Sequence, residues 1–166
     1  TEFGMGLRQI AQLIKAEVGL EVAAVDIGGW DTHDDQGSTN GLFATLLDEF
    51  AQGLAAFYFD LQNYMSRVTV VTMSEFGRTA IENASGGTDH GRASAMFVMG
   101  GGAQGGVHAV WNGLESGALD EGDLPVTTDY RDVLSEILIK RVQNSAVEQI
   151  FPGYTLNLPG IISERG

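Results

Sequence analysis

The sequence predicts an α/β fold in which a mainly parallel sheet is flanked by helices. Apolar residues recur at helical spacing in three segments, and three short, nearly continuous apolar runs have the composition of buried strands. The helical and strand-like segments alternate along the chain, which is typical of parallel sheets. With 166 residues, 43% of them hydrophobic, the chain is long enough for one domain, residues 1–166, with a sizeable core.

Three helices are predicted. Apolar residues at positions 7, 10, 11, 13 and 14 indicate the first, and Gly19 is its expected C-terminal cap. The second is a long amphipathic helix over residues 42–64, with Asn40 as its expected N-cap. The third runs from about Asp129 to Val142, where Asp129 and Arg131 are expected to cap and decorate the helix.

Residues 22–27, 68–73 and 95–99 are the three predicted strands. The run at 68–73 is rich in β-branched residues, as expected of a strand that is covered on both faces. Ligands of parallel α/β sheets bind beyond the carboxyl ends of the strands. The loops that follow these strands are therefore where a functional site is expected.

The composition excludes several classes of function. A net charge of −13 argues against a nucleic-acid partner, because phosphate backbones attract clustered Lys and Arg. No apolar run is long enough to cross a bilayer, so no membrane span is expected. The absence of Cys excludes disulfides, thiolate zinc sites and Cys nucleophiles. The acidic residues either form a solvated surface that aids solubility or bind divalent cations in part.

The loop after the first strand carries Asp31 and His33 directly behind Gly28-Gly29. A carboxylate and an imidazole two residues apart on an extended loop can reach the same ion, and the glycines allow a sharp turn. The alternative is a solvated acidic turn with an exposed histidine.

The loop after the second strand begins with Ser74-Glu75-Phe76-Gly77-Arg78. Glu75 is a candidate metal ligand, and the Arg78 guanidinium suits the oxygens of a phosphate or sulfate. The alternative is a Glu75–Arg78 ion pair at the start of a helix.

Asp89 and His90 stand side by side between glycines further along the same polar loop, which ends before the third predicted strand. An ordinary turn explains these residue types equally well. Two of the three histidines, however, lie close to Asp in Gly-rich loops that can share one sheet edge. The sequence therefore predicts a metal site, with the ligands Asp31, His33, Glu75, Asp89 and His90.

Three motifs together resemble the bacterial family catalogued as domain of unknown function 1501, which is related to sulfatases and alkaline phosphatases. They are Gly29-Trp30-Asp31-Thr32-His33, Ser74-Glu75-Phe76-Gly77-Arg78 and Gly87-Thr88-Asp89-His90-Gly91. The three motifs are specific for the family when they occur together in this order, whereas each motif alone is not. The resemblance runs roughly from Leu7 to Arg131 and is to the C-terminal half of the superfamily core.

The resemblance implies an alkaline-phosphatase-like α/β core with a divalent metal site at the strand ends. In the superfamily an Asp and a His follow one strand, and Asp31 and His33 match them with a closer spacing than is usual in the phosphatases. Glu75 stands after the next strand, where an Asp-His pair would be expected for a second metal. His90, with Asp89, matches the histidine of a later loop.

Superfamily members carry a Ser or Thr nucleophile and a further metal-binding Asp on strands that precede these motifs. This sequence has no segment that matches them. We therefore expect the chain to be an incomplete domain, a fragment of a longer protein.

The resemblance and the motifs lead to the hypothesis of a metal-dependent hydrolase of phosphate or sulfate esters, with a small anionic ester as substrate. A divalent ion (Zn²⁺, Mn²⁺, Ca²⁺ or Mg²⁺) would polarise the ester oxygen and activate a nucleophile, while Arg78 offsets the developing charge. One alternative is a serine esterase that uses Ser74, although the Gly-x-Ser-x-Gly frame is absent. Another is a non-catalytic module that binds cations. Relatives are often exported, which implies a periplasmic or exported location, and the oligomeric state is left open.

Overall fold

The computed structural model describes residues 1–164, which form two compact units. The first contains Thr1–Met65 and Arg78–His90, and the second contains Ser66–Gly77 and the chain from Gly91 onward. No helix within the described residues is long and apolar enough to cross a membrane. The helices are α1 (Glu2–Lys15), α2 (Leu42–Asp60), α3 (Tyr130–Ile137) and α4 (Val147–Ile150), and the strands are β1 (Thr69–Val71), β2 (Gly77–Arg78), β3 (His90–Gly91) and β4 (Val98–Gly100).

Helix α1 of the first unit confirms the first predicted helix. The Thr1 hydroxyl accepts a hydrogen bond from the Gly4 amide at 3.1 Å and caps the N-terminus. The helix ends at Lys15, with Ala16 at the C-cap, so the prediction that Gly19 caps it is wrong. The apolar stripe of the helix is buried along Phe3, Leu7 and Ala11.

Helix α2 packs against α1 and confirms the long amphipathic helix, which ends at Asp60 rather than residue 64. Gly53 of α2 allows Phe3 of α1 to lie close to the α2 backbone, since a Cβ at position 53 would lie 2.5 Å from Cε1 of Phe3. Gly41 occupies the N-cap without a side-chain hydrogen bond, so the predicted Asn40 cap is wrong. Leu46 and Phe57 of α2 are buried, as is Leu61 at its C-cap.

The predicted mainly parallel sheet flanked by helices is wrong. The structure instead contains two small two-stranded antiparallel sheets, β1 with β4 and β2 with β3. Residues 22–27 belong to no helix or strand of the described chain, and only parts of the runs 68–73 and 95–99 form β1 and β4.

The physical reason lies in the connections between the apolar runs. Parallel neighbours need a crossover, usually a helix, that returns the chain in the same direction. No helix lies between Val71 and Val98 in the described structure, and Val71 pairs with Val98 in an antiparallel register. An apolar run shows that a segment favours extended, buried structure, but it does not specify which partner it pairs with or in which direction.

The second unit is organised around α3, which confirms the last predicted helix. Asp129 is its N-cap and accepts a hydrogen bond from the Arg131 amide at 2.9 Å, and a π-helical turn over Leu138–Val142 continues it. Val133 packs with Ile161 and Ile162 of the C-terminal segment.

Buried charged side chains also connect this helical region to the C-terminal segment. The Glu136 carboxylate is fully buried, pairs with Lys140 and accepts the Ile161 amide at 3.0 Å. Lys140 donates to the Ile162 carbonyl at 2.7 Å. Each charge is thus paired and hydrogen-bonded, as burial requires.

Candidate metal centre

The first motif loop is attached to α2 through Trp30. Its indole ring makes edge-on contacts with Phe43, at 5.9 Å between ring centres, and with Phe50, at 6.3 Å. Two residues later Thr32 is buried, with 3% of its surface exposed. The Thr32 amide donates to the Trp30 carbonyl at 2.9 Å, which forms a tight turn at Asp31, and the Asp31 side chain is exposed.

The third motif loop, around Gly87-Thr88, lies directly against the first. The Thr88 amide donates to the Thr32 carbonyl at 3.3 Å. Both threonine hydroxyls donate to Oε1 of Gln36, at 2.7 Å from Thr32 and 2.8 Å from Thr88. A Cβ at Gly87 would lie 2.2 Å from the His33 carbonyl oxygen, so only glycine fits this approach. Loops distant in sequence are thereby joined by main-chain and buried side-chain contacts.

Asp31, His33 and His90 converge on the exposed side of the joined loops. Oδ1 of Asp31 lies 3.0 Å from Nε2 of His33 and 2.8 Å from Nε2 of His90. The two imidazole ring centres are 5.0 Å apart, and one potential ligand atom from each of the three residues lies within 4.8 Å of the others. Three of the five predicted ligands are thus brought to one point, although 59 positions separate Asp31 from His90.

Asp89 lies on the other side of His33. Its Oδ1 is 2.9 Å from Nδ1 of His33, the ring nitrogen that does not face Asp31. The hydrogen bond with His33 is the largest cause that lowers the pKa of Asp89 below its ordinary value, and one from Asn83 adds to it. The pKa of Asp31 is lowered as well, chiefly by the hydrogen bond with His90. Both carboxylates are therefore held in the charged form that binds cations.

The Arg78 guanidinium makes hydrogen bonds with both motif loops. It donates to the Thr88 carbonyl at 2.7 Å, to the Trp30 carbonyl, and to Oδ1 of Asp31 at 3.1 Å. Its side chain is only 21% exposed. Arg78 therefore places a positive charge beside the candidate ligand Asp31 and ties it to both motif loops.

The sequence-based reasoning missed Asn83 and Gln36. Asn83 donates from Nδ2 to the His33 carbonyl at 2.9 Å and to Oδ1 of Asp89 at 3.1 Å. Its Oδ1 accepts the amides of Ser85 at 2.9 Å and Gly87 at 3.1 Å. An Asn four residues before a glycine, in a loop rich in small polar residues, is a signal for side-chain-stabilised turns that could have drawn attention to it.

Comparison with known families tests the family membership that the three motifs suggest. Residues 4–140 match the family described as Protein of unknown function (DUF1501). The chain belongs to this family. The match includes every residue of the candidate metal centre. Neither a search of the curated proteins nor a search of the solved structures found a match for the chain.

The remaining predicted site residues of this DUF1501 chain, Ser74 and Glu75, belong to the second unit. Glu75 is exposed. The Ser74 hydroxyl donates to the Phe76 carbonyl at 2.8 Å, within its own loop. The third histidine, His108, is in the same unit, where Nε2 lies 2.9 Å from the Gln104 carbonyl. The triad that the structure assembles thus uses the first and third motifs.

Proposed function

We propose that the chain binds a divalent metal ion through Asp31, His33 and His90. The observation that carries the proposal is the placement of one Asp31 carboxylate oxygen and one ring nitrogen of each histidine within 4.8 Å of one another. Neighbouring ligands of a tetrahedral zinc ion, each about 2.0–2.1 Å from the metal, lie roughly 3.3 Å apart. The distances of 2.8 and 3.0 Å from Asp31 to the two imidazoles need only a small outward adjustment to match this.

The donor set favours Zn²⁺ among the four candidate ions, with Mn²⁺ second. Imidazole nitrogen is a preferred ligand of zinc, whereas Ca²⁺ and Mg²⁺ prefer sites built from oxygen. Two histidines and one carboxylate also leave a fourth position for water or substrate, which distinguishes catalytic from structural zinc sites. The side chains of His33 and His90 are 41% and 50% exposed, so a small molecule can approach them.

Asp89 has an orienting role in this proposal. Metal-bound histidines usually donate their second ring N–H to a carboxylate, which fixes the tautomer and the ring orientation. Asp89 lies at hydrogen-bond distance from Nδ1 of His33 and leaves Nε2 for the ion.

We further propose that the metal centre serves the hydrolysis of phosphate or sulfate esters. A divalent ion supplies Lewis acidity and lowers the pKa of a bound water. The charges of Asp31 and Asp89 are outweighed by those of Arg78 and a divalent ion together, so the centre would attract a small anionic ester. The proposal includes the relation to sulfatases and alkaline phosphatases that the motifs imply, with this chain as the C-terminal half of such a core.

Metal binding is tested by calorimetric titration of metal-free protein with Zn²⁺, Mn²⁺, Ca²⁺ and Mg²⁺. We expect zinc to bind with 1:1 stoichiometry and H90A to bind at least 100-fold more weakly, because one of three ligands is lost. H108A is the matched control, since His108 contacts the main chain of its own loop. Absence of binding and of thermal stabilisation by all four ions, or equal losses in both variants, would refute the proposal.

Hydrolysis is tested separately on the full-length parent protein. We expect zinc-dependent turnover of p-nitrophenyl phosphate or p-nitrophenyl sulfate that H90A abolishes and H108A retains. Tight zinc binding without turnover across a broad ester panel would refute the hydrolase proposal and leave the metal site intact.

A further inference from the structure

We propose that Asn83 is a positioning residue that fixes the Asp89–His33 pair, an inference that rests on the proposed metal site. Asn83 is not itself one of the candidate metal ligands. Its side-chain amide nevertheless makes two donated and two accepted hydrogen bonds, which equals the number of N–H donors and oxygen lone pairs that an amide offers.

The orientation of the Asn83 amide is set by its neighbours. Its oxygen faces two main-chain N–H groups, those of Ser85 and Gly87, which can only donate. Its nitrogen faces the His33 carbonyl and the Asp89 carboxylate, which can only accept. A flipped amide would place donor against donor and acceptor against acceptor, so the structure allows one orientation.

Both donated bonds lead to the candidate ligand His33. One reaches its main-chain carbonyl and fixes the backbone at that residue. The other reaches Oδ1 of Asp89, the same oxygen that lies 2.9 Å from Nδ1 of His33. Asn83 therefore acts on the ring through Asp89 and on the backbone directly, while Nε2 stays directed at Asp31.

Asn83→Asp separates this role from the stabilisation of the loop. Aspartate has nearly the same shape as asparagine, and its carboxylate can still accept the Ser85 and Gly87 amides. It cannot donate to the His33 carbonyl or to Asp89. It also places a second carboxylate against Oδ1 of Asp89, which in the wild type lies 3.1 Å from Nδ2 of Asn83. The loop contacts are thus kept, and the contacts that position His33 are lost.

The expected effect on metal affinity has the opposite sign to that of simple electrostatics. An added negative charge alone would strengthen cation binding, whereas loss of an orienting contact typically weakens it by about 10- to 100-fold. We expect zinc titration to show a loss of this size for N83D. N40D is the matched control, because Asn40 is exposed and its side chain makes no hydrogen bond within the described residues. An N83D affinity equal to or tighter than that of the wild type would overturn the proposal.

A second measurement on metal-free protein separates this inference from the metal-site proposal. We expect a hydrogen-bonded Nδ1–H proton of His33 to be observed by NMR in the wild type and in N40D, and to be lost in N83D. If the wild type binds no metal, this signal still tests the positioning role. Its retention in N83D would overturn the inference even where the metal site is real.

Asp89→Ala is the substitute variant if N83D does not fold. It removes the side chain that Asn83 holds and keeps both loop bonds of Asn83. We expect zinc affinity to fall at least tenfold, with thermal stability close to that of the wild type. Unchanged affinity would overturn the proposed route from Asn83 through Asp89 to His33.

Discussion

Gly87→Ala should separate the two motif loops while leaving the side chain of every candidate ligand in place. The added Cβ would lie 2.2 Å from the His33 carbonyl oxygen, 2.3 Å from its carbonyl carbon and 2.6 Å from the Thr32 carbonyl oxygen. The shortest of these distances falls about 1.2 Å below 3.4 Å, where ordinary van der Waals contact begins. All three atoms belong to the main chain, so no side-chain rotation relieves the overlap.

The overlap can be relieved only by moving one loop away from the other. A displacement of this size breaks the bond from the Thr88 amide to the Thr32 carbonyl, already 3.3 Å long, and strains those made by Asn83 and Gln36. Overpacking of a close contact typically costs about 1–3 kcal/mol. For a chain of this length each kcal/mol lowers Tm by roughly 2–4 °C, so we expect a decrease of roughly 2–12 °C.

Differential scanning calorimetry of metal-free G87A and G28A measures this effect. Gly28 is the matched control, because a Cβ there meets no atom within 4 Å. We expect G28A to melt within about 1–2 °C of the wild type, as most surface substitutions do. A G87A protein with the Tm and zinc affinity of G28A would refute the idea that this glycine contact joins the loops.

Two further predictions concern the second unit. Asp129→Ala removes the N-cap of α3 and should cost about 1 kcal/mol at neutral pH. The hydrogen bond from Arg131 lowers the pKa of Asp129, so this contribution is present above the unfolded-state pKa of about 3.9 and is lost as pH falls through the lower folded-state pKa. The Tm difference between D129A and the wild type should therefore narrow below pH 4, and a constant difference would contradict this. Glu136→Ala leaves Lys140 and the Ile161 amide without their buried partner and should cost about 3–5 kcal/mol in urea denaturation. A cost no larger than that of E115A, at an exposed carboxylate, would show that the buried pair is not needed for stability.

The helices could be predicted from the sequence because local periodicity and capping determine them. Leu7 and Ala11 of the predicted stripe of α1 are buried, although Leu13 is 45% exposed, and Asp129 caps α3 as its residue type favours. Helix ends were less predictable: α1 ends at Lys15, before Gly19, and α2 begins without an Asn40 cap. A terminus depends on a few weak local bonds that several neighbouring residues can supply.

The sheet could not be predicted in the same way, since strand pairing is a long-range property. The β-branched run at 68–73 does supply β1, but its partner is antiparallel. Nothing in an apolar run distinguishes pairing partners or strand directions. The prediction of a parallel sheet assumed crossover connections, and the described chain between β1 and β4 contains no helix to provide one.

The candidate ligands Asp31, His33 and His90 were nevertheless predictable despite the wrong sheet. Their motifs combine metal-binding residue types with glycines that permit close loop contact, and the Gly87 contact is of this kind. The sequence indicates at most a turn at Asn83, and the contacts of Asn83 and Gln36 with the site could not be predicted, because an amide has a distinct role only once its tertiary donors and acceptors are known.

The candidate ligands and the buried residues that hold their loops together have different structural roles. The candidate ligands Asp31, His33 and His90 are accessible to solvent, whereas Thr32 and Gly87 are buried and determine how closely the two loops approach. Exposed side chains alone lose considerable rotamer entropy when they gather around one point, so their preorganisation has to come from the layer that holds their backbones. Changes in the buried layer should therefore weaken metal binding even when every ligand is kept, and this sensitivity distinguishes a built metal centre from a chance group of exposed acidic residues and histidines.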